Sequence, residues 1–260
     1  MRPPTHAPPT PAPCGTKHTN LLAALDRPTI GYATCAVRPG DIVGEFGYDN
    51  TISTGSRYAF ATYPQGFIRY GVARRFEVDF IGPAYGVRHL ANGSIQRGFF
   101  DSGLGFKLQS RPVGRALFAI DGLLTFPTGA SAFTIGAPTE TVNLDASYAL
   151  SNTTGIAETL GFTSASGTRL SSTHVDASVA RYTAFLPSAV ITQLLGARTQ
   201  LYLEAYGATR VRPNGGSRFA MDGGVQYMLT PQLEVDAELG RTVTELGPSH
   251  YLGFGFGIRV

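Results

Sequence analysis

Hydrolysis by an activated serine needs an imidazole within hydrogen-bond reach of the hydroxyl and a third group to orient it. The chain has five histidines: His6, His18, His89, His174 and His250. His174 follows Ser171-Ser-Thr173 and precedes Asp176, while His250 follows Ser249. Both lie near the loop-side ends of expected strands, where polar residues are ordinary, so an outer-membrane hydrolase ranks low among the readings. No Gly-x-Ser-x-Gly, phosphate loop or zinc-ligand spacing occurs. The expectation is a protein with no catalytic residues, no metal and no cofactor.

A second set of polar residues has a clearer pattern. Glu45, Arg69, Glu77, Asp79, Asp101, Lys107, Asp121, Asp145, Glu204, Asp222, Asp236 and Arg259 stand on the parity opposite runs of large apolar side chains. Period two assigns such residues to one face of a strand. If the apolar face meets lipid, these twelve residues are lumen-lining candidates in a closed barrel. Most strand-borne carboxylates fall on this parity, which suits a wet or salt-bridged interior better than the dry core of a soluble barrel. Arg69 and Glu77 straddle the tight turn Ala73-Arg-Arg75. If that turn closes symmetrically, the two face each other directly and hold the wall as a salt bridge. The excess of acids favours cations or polar solutes if water fills the lumen.

Strands must position these groups. The last one, Tyr251 to Val260, sets Leu252, Phe254, Phe256, Ile258 and Val260 against Tyr251, Gly253, Gly255, Gly257 and Arg259. A terminal strand this amphipathic must pair on both sides or leave a sticky edge, and closure against the first strand removes that edge. Ahead of it, similar runs are expected at Asp41–Tyr48, Tyr58–Val72, around Val78–Phe80, Phe100–Leu108, Arg115–Phe126 and Thr141–Leu150. Further runs follow at Ile156–Thr163, His174–Phe185, Thr199–Ala208, Arg218–Leu229 and Leu233–Arg241. Two faces stay unassigned, because Glu158 and Arg181 share the parity of their apolar neighbours. Leu21–Leu25 and part of Leu186–Arg198 read as single helical turns, and Tyr85–Arg97 as a polar loop. The total is about twelve antiparallel strands with short and long connections alternating, except for one long connection after the eighth strand. Tyr48, Tyr70, Phe126, Tyr148, Tyr227 and Tyr251 sit where interfacial aromatic girdles are expected.

Composition agrees. The 260 residues include 32 Gly, 12 Tyr and 16 Phe, no Trp and only 15% charged residues. Such a mix suits many short strands, and one barrel accounts for the length. No apolar run of some 18 residues marks a spanning helix. A net charge of +3 with scattered basic residues gives nucleic-acid binding little support. Residues 1–40 read as a proline-rich, mostly irregular segment ahead of a barrel at 41–260. Met1 to Pro13 lacks the apolar core of a signal peptide, so a mature form or a displaced start is expected. Cys14 and Cys35 are expected to close one disulfide loop before the first strand.

With these segments in view, the chain resembles the outer-membrane barrel family of phenol-degradation meta-pathway transporters. The resemblance runs from Asp26 to Val260 through Asp26-Arg-Pro28, Pro64, Arg69-Tyr-Gly71, Glu77 and Phe100-Asp-Ser-Gly-Leu-Gly-Phe-Lys107. It continues through Pro127-Thr-Gly129, Leu201-Tyr-Leu-Glu-Ala-Tyr-Gly207 and the hairpin Asp222 to Gly240 with Leu229-Thr-Pro231. Gly255, Ile258 and Val260 also look like a barrel-assembly signal, although the chain ends in Val where an aromatic is usual. The resemblance implies passage of small hydrophobic compounds across the bacterial outer membrane.

The expected protein is thus an all-β, closed antiparallel transmembrane barrel acting as a passive channel for small hydrophobic or aromatic compounds. Its expected partners are outer-membrane lipid, the barrel assembly machinery and a small-molecule solute, with no nucleic acid and an open oligomeric state. A non-conducting structural or adhesive barrel is the alternative. The first forty residues either fold inward as a plug or extend outward as a tail.

Overall fold

The computed structural model describes residue 14 and residues 20–53, 58–82, 84–169, 178–244 and 249–260. The chain alternates in register with the pleat, and the result is almost wholly β. The strands are β1 (Ile42–Ser53), β2 (Tyr58–Ala73), β3 (Phe76–Ile81), β4 (Tyr85–His89) and β5 (Ile95–Phe99). They continue as β6 (Ser102–Gln109), β7 (Ala116–Phe126), β8 (Thr139–Ala149), β9 (Thr154–Arg169) and β10 (Ser178–Leu195). The last four are β11 (Thr199–Ala208), β12 (Arg218–Thr230), β13 (Leu233–Thr242) and β14 (Ser249–Arg259).

All pairings are antiparallel, and β1 bonds to both β14 and β2, so the sheet closes on itself. Twelve strands make the ring. The β4–β5 hairpin extends it above β3 and β6, pairing through β4 with the upper half of β2. The seam is complete to the end of the chain, since Ile42 and Val260 exchange backbone hydrogen bonds of 2.9 Å. Short turns join β2–β3, β8–β9, β10–β11 and β12–β13 on the rim that also carries this seam.

The structure corrects the sequence reading of the strands and girdles in three places. Tyr85–Arg97 is not a loop but the β4–β5 hairpin, whose turn carries Gly93 at φ 84°. Leu186–Arg198 contains no helical turn. The strand β10 runs on to Leu195 and ends at Gly196, whose φ of 82° makes the connection to β11 tight. The apparent exception to alternating loop lengths therefore disappears. Ser188, Val190 and Thr192 face one way and Ala189 and Ile191 the other, a period-two pattern that leucines at either end had obscured. Tyr251 is no girdle residue: it is buried on the inner face, within reach of Asp222 and Tyr206.

Outside, the barrel is apolar. Leu104, Phe106, Phe118, Ile120, Leu144, Leu203, Phe254 and Phe256 are all exposed, and Val235 on the same face is half-buried. So continuous a greasy belt is untenable in water and normal against hydrocarbon. No helix among the described residues is long and apolar enough to cross a membrane; the crossing is made by strands. The molecule is a membrane-spanning β-barrel. Glu158 and Arg181, unassigned from sequence, both point to this outer face, where Arg181 pairs with Glu140.

The fully buried apolar residues are few. Leu21, Leu25, Val37 and Val43 form one small cluster inside the barrel, and three of the four come from the segment ahead of β1.

Candidate functional site

That segment, residues 20–40, is folded into the lumen. Asn20 caps a single 3-10 turn at Leu21–Ala23 by accepting from the Leu22 N–H at 3.1 Å. Beyond Leu25 the backbone is irregular, so its N–H and C=O groups need partners from the wall. The wall supplies them. Glu45 accepts from the N–H groups of Asp26 and Arg27 at 2.9 and 2.6 Å. Glu204 accepts from Ile30 and Gly31 at 2.8 and 2.7 Å. Thr159 accepts from Tyr32 at 3.1 Å, and Gln109 accepts from Ala36 at 2.8 Å. Val37 donates to Glu77. The disulfide Cys14–Cys35 ties residue 14, ahead of the segment, to its later part.

Side-chain charges complete the anchorage. Arg69 is 0% exposed and meets Glu77 at 2.7 Å, Glu45 at 3.1 Å and Asp26 of the segment at 3.2 Å. Lys107 reaches Asp26 at 3.1 Å and donates to the Ala33 carbonyl at 2.7 Å. Arg27 runs the other way, from the segment to Asp236 at 3.2 Å and Gln65 at 2.7 Å on the wall. Burial costs each of these ions several kcal/mol in solvation, and only mutual pairing offsets it. The network thus ties segment and wall into one unit. Tyr32 lies in the same place, its ring 5.6 Å from the Lys107 ammonium. Burial first, then the charges of Asp121 and Asp26, push its phenol well above the usual range, so it stays protonated.

Glycines on the inner parity make room for the segment. A Cβ on Gly257 would stand 2.5 Å from a Leu25 methyl, and one on Gly255 would stand 2.5 Å from Arg27. At Gly47 and Gly71 a Cβ would overlap the Arg27 guanidinium and the Arg38 carbonyl. The small face of β14 is therefore the floor on which residues 25 to 27 lie.

The expected inner residues divide into three groups. Glu45, Arg69, Glu77, Asp79, Lys107, Asp121, Asp145, Glu204, Asp222 and Asp236 are all buried inside. Arg69 and Glu77 are joined, but not as direct opposites. The hairpin register sets Arg69 opposite Asp79 and Glu77 opposite Gly71, and the salt bridge is diagonal. Asp101 is not on the inner wall and does not pair with Lys107. It occupies the break between β5 and β6 and binds the following loop, accepting from Gly129 at 2.9 Å and Thr134 at 3.1 Å. Arg259 is half-buried at the seam rim, where it donates to the Pro231 carbonyl at 3.0 Å.

Further inner residues complete the wall. Glu234 and Glu238, expected on the same face as Asp236 and two residues to either side of it, are buried with it. Phe133 gave no signal, since it sits in the β7–β8 loop. It folds back onto Phe100 and Phe60, with Arg88 5.1 Å above its ring. As to hydrolysis, Ser249 hydrogen-bonds Thr242 at 2.6 Å, while His250 is exposed on the outer parity. His6, His18, His174, Ser171 to Thr173 and Asp176 lie outside the described residues.

The segment does not fill the lumen. A cavity of about 450 Å³ remains between it and the wall formed by β7 to β10. Its lining includes Leu25, Tyr32 and Thr34 of the segment, and Leu117, Ser147, Ala157 and Val190 of the wall.

Comparison with known proteins gives a consistent picture. The family described as "Putative MetA-pathway of phenol degradation" matches residues 26–260, a range that includes Asp26 and Arg27 of the inward segment. An outer membrane channel from Pseudomonas putida F1 superposes with a TM-score of 0.67 at 15% identity, covering 86% of this chain and 97% of that one. The NanC porin gives 0.55 at 8% identity, covering 84% and 98%. The translocator domain of the autotransporter NalP from Neisseria meningitidis gives 0.52 at 11% identity, covering 85% and 88%. At such identities the likeness is one of fold, and the fold serves channels and translocators alike. No curated protein matches the chain.

Proposed function

Since the chain belongs to that phenol-degradation MetA-pathway family, we propose that it is a passive outer-membrane channel for small hydrophobic or aromatic compounds. The observation that carries this reading is the incompletely filled lumen: a polar-walled barrel with an apolar exterior keeps about 450 Å³ open beside its inward segment. Lipid surrounds the outer belt, and the assembly machinery of the outer membrane inserts the barrel. The inner residues Glu45, Arg69, Glu77, Asp79, Lys107, Asp121, Asp145, Glu204, Asp222 and Asp236 line the lumen and set its charge. Residues 20–40 narrow it as a plug on the barrel of residues 41–260. The protein performs no chemistry of its own. Movement follows the solute gradient, because no phosphate loop is present to couple it to a nucleotide.

Purified, folded barrel in vesicles should release a trapped small aromatic solute faster than protein-free vesicles, and in a planar bilayer it should conduct ions. Failure of both, with the plug present and with Met1–Thr34 deleted, would defeat the channel. The dense anchorage of the plug favours one rival, a non-conducting structural barrel, and that result would establish it.

A further inference from the structure

We propose that the cavity between the plug and strands β7 to β10 binds a small organic anion, a monocarboxylate held by its carboxylate at the rim on Arg115 with its apolar body lying inward. This rests on the channel reading and deepens it, since it gives the solute a charge and an orientation.

One end of the cavity reaches the short-turn rim, where Arg115 lines it beside Ser151, Asn152 and Thr153 of the β8–β9 turn. The Arg115 guanidinium lies 5.7 Å from the centre of the Tyr148 ring and donates to the neutral Leu150 carbonyl. Its Nε is buried without an acceptor, and among the described residues no carboxylate pairs with it. A guanidinium offers five donors in a planar fork that matches a carboxylate, so this cation keeps capacity that the chain leaves unused. The surrounding rim has the same sign. Arg74, Arg75, Arg111 and Arg198 are exposed there, while Asp41 is already paired with Arg38. An anion is drawn to this mouth.

Deeper in, the sign reverses. Thr159 and Ser188 line the cavity and donate to Asp145 and Glu204 behind them. A carboxylate pushed to that depth would lose its water beside two acids. Arg27, on the plug side, is already engaged with Asp236 and Gln65, and Glu158 belongs to the outer parity. Leu22, Leu25, Leu117 and Val190 give an alkyl or aryl body its contacts. The head is thus kept at Arg115 and the body points inward. A volume of about 450 Å³ lies within the range of small-molecule sites.

Titration calorimetry on the full chain in phosphatidylcholine nanodiscs, with empty nanodiscs as baseline, tests this. Pentanoate, pentanol and pentylammonium share an alkyl chain and differ in charge. Saturable binding of pentanoate is expected, at least about tenfold tighter than that of either companion. Arg115→Gln should bring pentanoate down to the level of pentanol and leave pentanol unmoved, whereas Arg115→Lys should keep part of the difference. Ala157→Phe, which fills the cavity from β9, should weaken pentanoate at least about tenfold. If that variant fails to fold, Leu117→Phe narrows the cavity from β7 with the same expectation. Pentanol or pentylammonium binding as tightly as pentanoate, a preference that survives Arg115→Gln, or unchanged affinity in the filled variant would each overturn the site. Vesicle release of pentanoate by wild type without saturable binding would overturn the site and leave the channel standing. Absence of binding together with absence of solute release and ion conduction would overturn the two together.

Discussion

The two sides of the inner wall hold the same segment by different means. On one side, β1, β2, β3, β6 and β13 contribute Glu45, Arg69, Glu77, Lys107 and Asp236, and the segment answers with Asp26 and Arg27. On the other, β8, β9 and β11 contribute Ser147, Thr159 and Glu204, which meet the Thr34 hydroxyl and backbone N–H groups. The first side is packed tight over glycines, whereas the second leaves the cavity. Charged side chains bring long reach and strong mutual attraction once desolvated, so they close the gap they span. Short hydroxyls bridge only where the backbones already approach. The plug is fixed along one flank and bordered by open space along the other.

Four changes would break or sharpen this contrast. Deleting Met1–Thr34 should have the largest effect, raising single-channel conductance roughly tenfold as the lumen opens to the width of a twelve-strand barrel. An unchanged conductance would mean the segment does not limit flow. Next, Arg69→Met should destabilise the tight side by about 3–5 kcal/mol, because Glu45, Glu77 and Asp26 would face one another with their shared cation removed. Hydrogen exchange at residues 24–37 should report it as lost protection, and full protection would show that the ions are not what holds the plug. On the slack side, Glu204→Gln retains one acceptor for Ile30 or Gly31 and should cost only about 1–2 kcal/mol, read the same way. A loss matching that of Arg69→Met would erase the distinction between the sides. Replacing Asp121 and Asp145 with Asn removes wall charge without touching the plug's ion pairs. It should lower cation preference by about twofold in reversal-potential measurements, and no shift would place the ion path away from these residues.

The alternation of residue types carried most of the architecture. Strict period two in β6, β7, β8, β13 and β14 named both faces of the wall, because a strand inverts its faces if it slips by one residue. Where a single charge broke the pattern, at Glu158 and Arg181, the sequence could not choose. The outer face tolerates Arg181 through its pairing with Glu140, a residue 41 positions away.

What the chain determined by itself is local and periodic: the number of strands in the ring, the greasy exterior, the acidic interior and the glycine parity of β14. What only the tertiary structure decided is non-local. Nothing in the spacing of Asp26 and Arg27 announces that one meets Lys107 and the other Asp236, 81 and 209 residues on. Those contacts exist because closure of the sheet brings distant strands around one lumen, where a buried charge must find its partner. An irregular segment has no period to read, and so its place inside the barrel was settled by the unsatisfied groups of the wall that encloses it.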